Sequence, residues 1–225
     1  WQRIDGINSK MLNFLENHDE MRLASSMFLD NPQLALPAVV ASLTMSKAPF
    51  MLYFGQELGE KGDCAEGFSG HDGKTTIFDY WSLNTVRRWY DNGMCDNRLL
   101  AKSEITLRSY YEWILNLTNS VPALCDGDFF DLMYVNNGNL NFQSNYAYLR
   151  HSTSETVLIV LNFGDQEANL SVRIPQHAFS MYGLPEGEQT AVDLRSGEKF
   201  SIVLQSDECV KVAVAPHNAT LIKIC

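Results

Sequence analysis

The sequence predicts an α/β portion followed by an all-β portion, and three features of its periodicity predict it. Residues 49–54 (Pro-Phe-Met-Leu-Tyr-Phe) are apolar at every position and closed by Gly55. That is the composition of a strand buried on both faces, as in a parallel sheet covered by helices. Residues 11–16 (MLNFLE) read as a shorter strand, and residues 32–47 between them carry helical spacing, with Leu36, Val39, Val40 and Leu43 on one stripe. Strand, helix, strand over about forty residues is the βαβ signature. The third feature lies downstream, where the texture changes to short alternating runs. Leu170, Val172 and Ile174 share one face, as do Phe200, Ile202 and Leu204, and then Val210, Val212 and Val214. Such runs between turn residues predict an antiparallel β-sandwich of the Greek-key kind.

The elements follow in order. Asn31 suits a helix cap and Pro32 the first helical position. Residues 55–102 are long, polar and Gly-rich, and ordered loops of that length are usually functional. A helix is expected over about 103–120, with Leu107, Tyr110, Ile114, Leu117 and Val121 on its apolar stripe. Turn signals stand at Gly164-Asp165, Ser196-Gly197 and Pro216-His217-Asn218. The change of texture falls near 122–128, which gives an α/β portion over 1–125 and a β-sandwich over 126–225. No internal repeat or low-complexity tract occurs.

Bulk properties exclude several functions. The net charge of −10 argues against a nucleic-acid partner, since phosphate binding needs clustered Lys and Arg. No apolar run approaches the ~20 residues that span a bilayer, so no membrane partner is expected. The cysteines Cys64, Cys95, Cys125, Cys209 and Cys225 form no CxxC pair. An odd, scattered set suits neither a disulfide framework nor a zinc site, and free, mostly buried thiols are the expectation. The chain begins at Trp1 without an initiator Met or a signal-like segment, and reads as a matured or partial piece of a longer protein.

The chemistry centres on Asn17-His18-Asp19 at the end of the first strand. Carboxyl ends of parallel strands are where α/β barrels place catalytic groups. A surface turn or helix cap accounts for Asn-His-Asp equally well, because Asn and Asp favour those positions. The surrounding string decides between them. Phe14-Leu-Glu-Asn-His-Asp-Glu20 resembles the strand-7 motif of the alpha-amylase family of glycoside hydrolases. Ala48-Pro-Phe-Met-Leu-Tyr-Phe-Gly-Gln-Glu-Leu-Gly59 resembles the strand-8 segment of that family, usually G-x-P-x-x-Y-Y-G-x-E-x-G. Two positions depart from it: Lys47 or Ala48 stands for the first Gly, and Phe54 for the second Tyr. Gly73-Lys-Thr-Thr-Ile-Phe-Asp-Tyr-Trp81 resembles the loop after strand 8 in bacterial starch-degrading members.

The resemblance covers essentially the whole chain. It implies the last quarter of a (β/α)8 TIM barrel followed by the family's C-terminal antiparallel domain. It implies cleavage or transfer of α-glucosidic bonds with retention, by a carboxylate nucleophile and a carboxylic acid on barrel strands 4 and 5. It assigns Asp19 as the third, transition-state-stabilising carboxylate, with His18 and Asn17 as substrate-binding residues. No Asp or Glu here matches the nucleophile or the acid, so this chain alone is expected to be inactive. The implied partner is an α-glucan or maltooligosaccharide. A missing N-terminal barrel segment, or self-association, is expected to cover the open strands. No cofactor is evident, and calcium would belong to sites of the full-length parent that lie largely upstream. A periplasmic or extracellular setting follows only by analogy with bacterial starch-degrading enzymes. The rival reading is a non-catalytic amylase-like binding or scaffolding protein. A third makes the β-sandwich a glycan-binding module, although its strands show no exposed aromatic row.

Other residues carry weaker signals. Glu57 reads as a structural neighbour of the site. Phe68, Phe78, Tyr80 and Trp81 either stack on sugar rings or pack the long loop down. His71-Asp72 reads as a solvated turn. Asp63, Glu66, Asp72 and Asp79 do not match the spacing of a calcium loop and read as solvated acids. The triplets at Asn116, Asn169 and Asn218 are of the kind that chance produces. Arg87-Arg88 reads as a surface pair.

Overall fold

The computed structural model of the protein describes residues 5–63, 72–78 and 82–225. They form two compact units, one of 1–42 and 48–115, the other of 43–47 and 116–225.

In the first unit, a short helix α1 (Asp5–Asn8) precedes the first extended segment. That segment and 49–54 run parallel, as expected, but they meet in a single rung, Asn13 opposite Phe50. The Asn13 N–H donates to the Pro49 carbonyl at 2.9 Å, and the Met51 N–H donates to the Asn13 carbonyl at 2.8 Å. The two full strands read from the sequence are therefore corrected to one bridge. A parallel pair is weak per residue and gains most of its regularity from further strands on either side. Met11, Leu12 and Phe14 are correspondingly exposed.

The Asn31 side chain caps the next element by accepting from the Gln33 N–H, and Pro32 opens a 3-10 turn that continues as α2 (Leu36–Thr44). Val39 and Val40 of α2 are wholly buried. The long polar segment contains an unexpected helix, α3 (Asn84–Tyr90). Arg87 is exposed, as expected, whereas Arg88 of α3 is half-buried. It donates to both carboxylate oxygens of Glu104, at 2.6 and 2.5 Å, in the first turn of α4 (Lys102–Ser120). Glu104 also takes the Ala101 N–H, one of the donors that a helix start leaves without a partner. Leu107, Tyr110, Ile114 and Leu117 are buried along α4, as their spacing predicts.

The second unit opens with α5 (Pro122–Cys125), β1 (Asp128–Asp131), α6 (Met133–Asn136), β2 (Asn145–Ser152) and β3 (Glu155–Asn162). It continues with β4 (Ala168–Arg173), α7 (Gln176–Tyr182), β5 (Gly187–Asp193), β6 (Lys199–Leu204), β7 (Cys209–Val214) and β8 (Asn218–Ile224). Among the described residues there are two sheets. One has the order β1-β2-β3-β8-β5-β6, the other pairs β4 with β7, and every pairing is antiparallel. Leu170, Val172, Val210, Val212 and Val214 of the smaller sheet share one core with Leu149, Leu158, Val160, Ile202, Leu204 and Ile222 of the larger. The predicted inward-facing positions are buried, except Phe200, which is partly buried against this core.

A helix within the β portion was not expected. α7 lies between Pro175, which precedes its first turn, and Gly183, whose left-handed conformation ends it. Ala178 and Phe179 of α7 enter the same core. The cysteines also differ from expectation: Cys95, Cys209 and Cys225 are free but exposed, Cys125 is half-buried, and Cys64 lies outside the described residues.

Arg150 of β2 has no exposed surface, and among the described residues no carboxylate lies within hydrogen-bond reach of it. Its guanidinium donates to four carbonyls: Thr44 at 2.8 Å, Ala123 at 3.2 Å, Leu124 at 3.3 Å and Gly127 at 2.7 Å. Thr44 ends α2, and Ala123 and Leu124 belong to α5, so the cation stands where helix ends present negative partial charge. Burial lowers its pKa from the usual arginine value. Replacing Arg150 with Met should remove the hydrogen bonds that its guanidinium donates to these carbonyls and destabilise the β unit by about 3 kcal/mol or more. Amide exchange in β2 and β3 during urea unfolding would report it; an unchanged midpoint would show that the cage is dispensable.

Candidate functional site

The parallel rung at Asn13 and Phe50 fixes which ends of the two segments lie together. Residues 17–19 follow one and residues 55–57 the other, so both groups leave from the carboxyl end. Ligand sites of parallel α/β folds lie at that end.

Asn17 builds a turn. Its Oδ1 accepts from the Asp19 N–H at 2.8 Å and the Glu20 N–H at 2.9 Å. Both lone pairs of that oxygen are thereby used locally. His18 Nε2 lies 3.5 Å from Asp19 Oδ2, with the side chains 42% and 75% exposed. The three predicted site residues thus stand on one turn, with imidazole beside carboxylate and both open to solvent.

Beneath the turn lies a network that the sequence reading did not find. Glu16 and Arg22 are both buried and form an ion pair at 2.8 Å. The other Glu16 oxygen accepts the Leu23 N–H at 2.7 Å. Arg22 donates through Nε and Nη2 to Thr75 Oγ1, at 2.9 and 2.6 Å, and through Nη2 to the Phe54 carbonyl at 2.9 Å. Its backbone N–H donates to the Gly73 carbonyl at 2.7 Å. The guanidinium carbon lies 4.3 Å from the centre of the Tyr53 ring, a cation–π distance. The Tyr53 hydroxyl donates to the Thr75 carbonyl at 3.0 Å. Burial pushes the Glu16 carboxyl above its ordinary range, and the charge of Arg22 opposes that rise.

Gly73 permits the close approach. Its φ is +67°, and a Cβ there would stand 2.3 Å from Ser25 Oγ. Glu60, also unremarked in the sequence, is buried and accepts from Thr85 Oγ1 at 2.5 Å and from the Lys61 and Gly62 N–H groups at 3.0 and 3.1 Å.

Of the weaker candidates, Phe78 is 65% exposed. Asp63 is exposed, with Ser25 and Ser26 hydroxyls at 3.5 and 3.3 Å, and Asp72 accepts from the Lys74 N–H at 3.2 Å. Glu66, Phe68, His71, Asp79, Tyr80 and Trp81 lie outside the described residues. No cluster of metal-ligating side chains occurs among the described residues.

These elements define a mixed α/β chain with an antiparallel β unit, whose open turn carries an imidazole and a carboxylate at the carboxyl end of a parallel pair. No protein-family model matches the sequence, and no curated protein matches it either. Its likeness is to solved structures, and it is a likeness of fold. A crystal structure of AmyP in complex with maltose matches 94% of this chain at 18% identity and a TM-score of 0.63. The alpha-amylase of Geobacillus thermoleovorans, complexed with acarbose, matches 96% at 17% identity and a TM-score of 0.60. An isomaltulose synthase of Erwinia rhapontici matches 99% at 18% identity and a TM-score of 0.53. This chain spans 40%, 39% and 45% of those chains respectively. The alpha-amylase resemblance read from the sequence therefore has a counterpart in the fold.

Glu57 lies near this network. Its Oε2 is buried with no hydrogen-bond partner among the described residues, and burial raises its pKa above 4.5. A carboxyl raised in the folded state binds more protons there than in the unfolded chain. Its contribution to stability is therefore complete at pH below about 4.5 and is lost as pH rises through the folded-state value. Glu57→Gln mimics the protonated form, so its stability relative to the unaltered protein should improve from pH 4 to pH 7. Urea midpoints at the two pH values test this; a Gln variant that fares worse at pH 7 would mean the carboxylate is ionised and well paired.

Proposed function

We propose that this chain is the C-terminal part of a retaining glycoside hydrolase acting on α-glucosidic bonds of starch-like glucans. Asp19 is its transition-state-stabilising carboxylate, and His18 and Asn17 are its substrate-binding neighbours. The observation that carries the reading is the parallel rung, which sends the Asn17-His18-Asp19 turn out at the carboxyl end of its strand. The fold likeness to structures holding maltose and acarbose supports a glucan as the substrate class.

In this role, Asp19 accepts hydrogen bonds from sugar hydroxyls at the cleaved unit. Retention passes through an oxocarbenium-like transition state. Contacts that strengthen as positive charge develops lower the barrier, whereas contacts equal in both states do not. His18 donates to the same sugar. Asn17 commits its side-chain oxygen to the turn, which leaves its amide N–H groups as the donors to the sugar. An exposed carboxylate acts weakly through water, since the interaction falls with dielectric constant. Asp19 reaches full effect only where the rest of the barrel and the substrate exclude solvent. The nucleophile and the general acid are assigned to the part of the enzyme outside this chain, on strands 4 and 5 of the barrel.

In the whole enzyme, Asp19→Asn should lower kcat by at least 100-fold with KM changed far less, the pattern expected when a transition-state contact is lost. A kcat/KM within about threefold of the parent, under ~1 kcal/mol, would remove Asp19 from the mechanism. The 225-residue chain by itself should release no reducing ends from maltoheptaose. Turnover that survives purification and vanishes with Asp19→Asn would overturn the division of the catalytic residues. An inactive whole enzyme that still binds maltoheptaose would favour the scaffolding alternative.

A further inference from the structure

We infer that Arg22 is the positioning residue of this site, and that it sets where the Asp19 carboxylate stands through a clasp formed with Glu16 and Thr75. The inference rests on the role proposed for Asp19.

Asp19 cannot fix its own position. Its carboxylate is 75% exposed, with the His18 imidazole 3.5 Å away. Its place is therefore set by the backbone of residues 17–21. Ordering free backbone costs ~1–2 kcal/mol per residue, so something must hold this short turn. Asn17 shapes it from within by accepting the Asp19 and Glu20 N–H groups. The ends are held by Glu16 and Arg22, the residues that flank the turn and pair at 2.8 Å beneath it.

Arg22 also joins this turn to two distant stretches. Thr75 receives two of its donors and the Phe54 carbonyl a third, while its backbone N–H reaches Gly73. Three segments (16–25, 53–54 and 73–75) thus converge on one guanidinium. A planar fork with five donors can hold them together; the point-like ammonium of lysine, with three, cannot. A shift of residues 73–75 is carried through the fork to the base of the turn. Misplacing a reacting group by ~1 Å can cost on the order of 100-fold in rate.

The test uses the whole enzyme with maltoheptaose, and kcat is normalised to protein shown to be folded at the assay temperature. R22K should lower kcat roughly 30- to 100-fold with KM within about threefold, since substrate contacts remain while their aim is lost. If R22K does not fold, T75V carries the test: it removes the acceptor of two donors and should lower kcat about tenfold. T75S keeps the hydroxyl and should stay within about threefold of the parent. The R22K/T75V loss should approach that of R22K alone, because both variants break one linkage. A role confined to stability would reduce the folded fraction and leave normalised kcat unchanged, and that result overturns the inference. So does T75V at parental kcat. D19N serves to separate the two failures. If D19N is inactive while R22K and T75V retain parental kcat, only the positioning role falls. If D19N retains parental kcat, the reading of the site falls and the positioning role with it.

Discussion

A buried cation must be satisfied, and this requirement organises both units of the chain. Removing an arginine from water costs several kcal/mol unless its donors and its charge find partners. Arg22 meets the requirement with a carboxylate, Glu16, and adds the Thr75 hydroxyl, the Phe54 carbonyl and the face of Tyr53. Arg150 meets it without a carboxylate, by gathering four backbone carbonyls around one guanidinium. The two solutions differ in consequence. An ion pair ties side chains to each other and leaves the main chain of 17–21 to be shaped by Asn17. A carbonyl cage ties main chain directly, so Arg150 specifies how 44, 123–124 and 127 are arranged around β2. In each case one guanidinium holds several separate segments in place.

Much of this was legible in the sequence wherever the signal was local. Alternation predicted the buried faces of β4, β6 and β7, and Asn31 with Pro32 predicted a helix start. These patterns depend on period and capping, which neighbouring residues determine. The turn 17–19 could be located by its motif, but not its internal bonding. Asn17, read as a sugar ligand, commits its carbonyl oxygen to the turn. Arg22 was missed because its importance comes from Thr75, 53 residues away, and an Arg after an acidic turn looks like any solvated residue. The length of the extended segments was overestimated because composition describes how a strand would be buried, not how many partners it has. α7 was missed because its seven residues follow Pro175 in a stretch dominated by strand spacing, although Gly183 was a usable stop signal.

The likeness to solved structures at 14 to 21% identity is what core tolerance leads one to expect. Apolar positions exchange side chains freely if volume and pattern are kept, so a fold outlasts most of its sequence. The same tolerance means that fold alone does not carry function. Chemistry depends on few positions and on their aim, so it constrains far fewer residues than the fold does.

The strand order of the larger sheet has a consequence for synthesis. β8, last in chain order among the described strands, lies in the middle, with β3 on one side and β5 on the other. During translation the β1-β2-β3 meander and the β5-β6 hairpin both emerge before the strand that joins them. Until residues 218–224 leave the ribosome, β3 and β5 each present a row of unpaired backbone groups towards the same empty lane. The joined sheet therefore forms only once residues 218–224 are available, and a nascent chain that lingers at this stage can accept a neighbour's strand in place of its own.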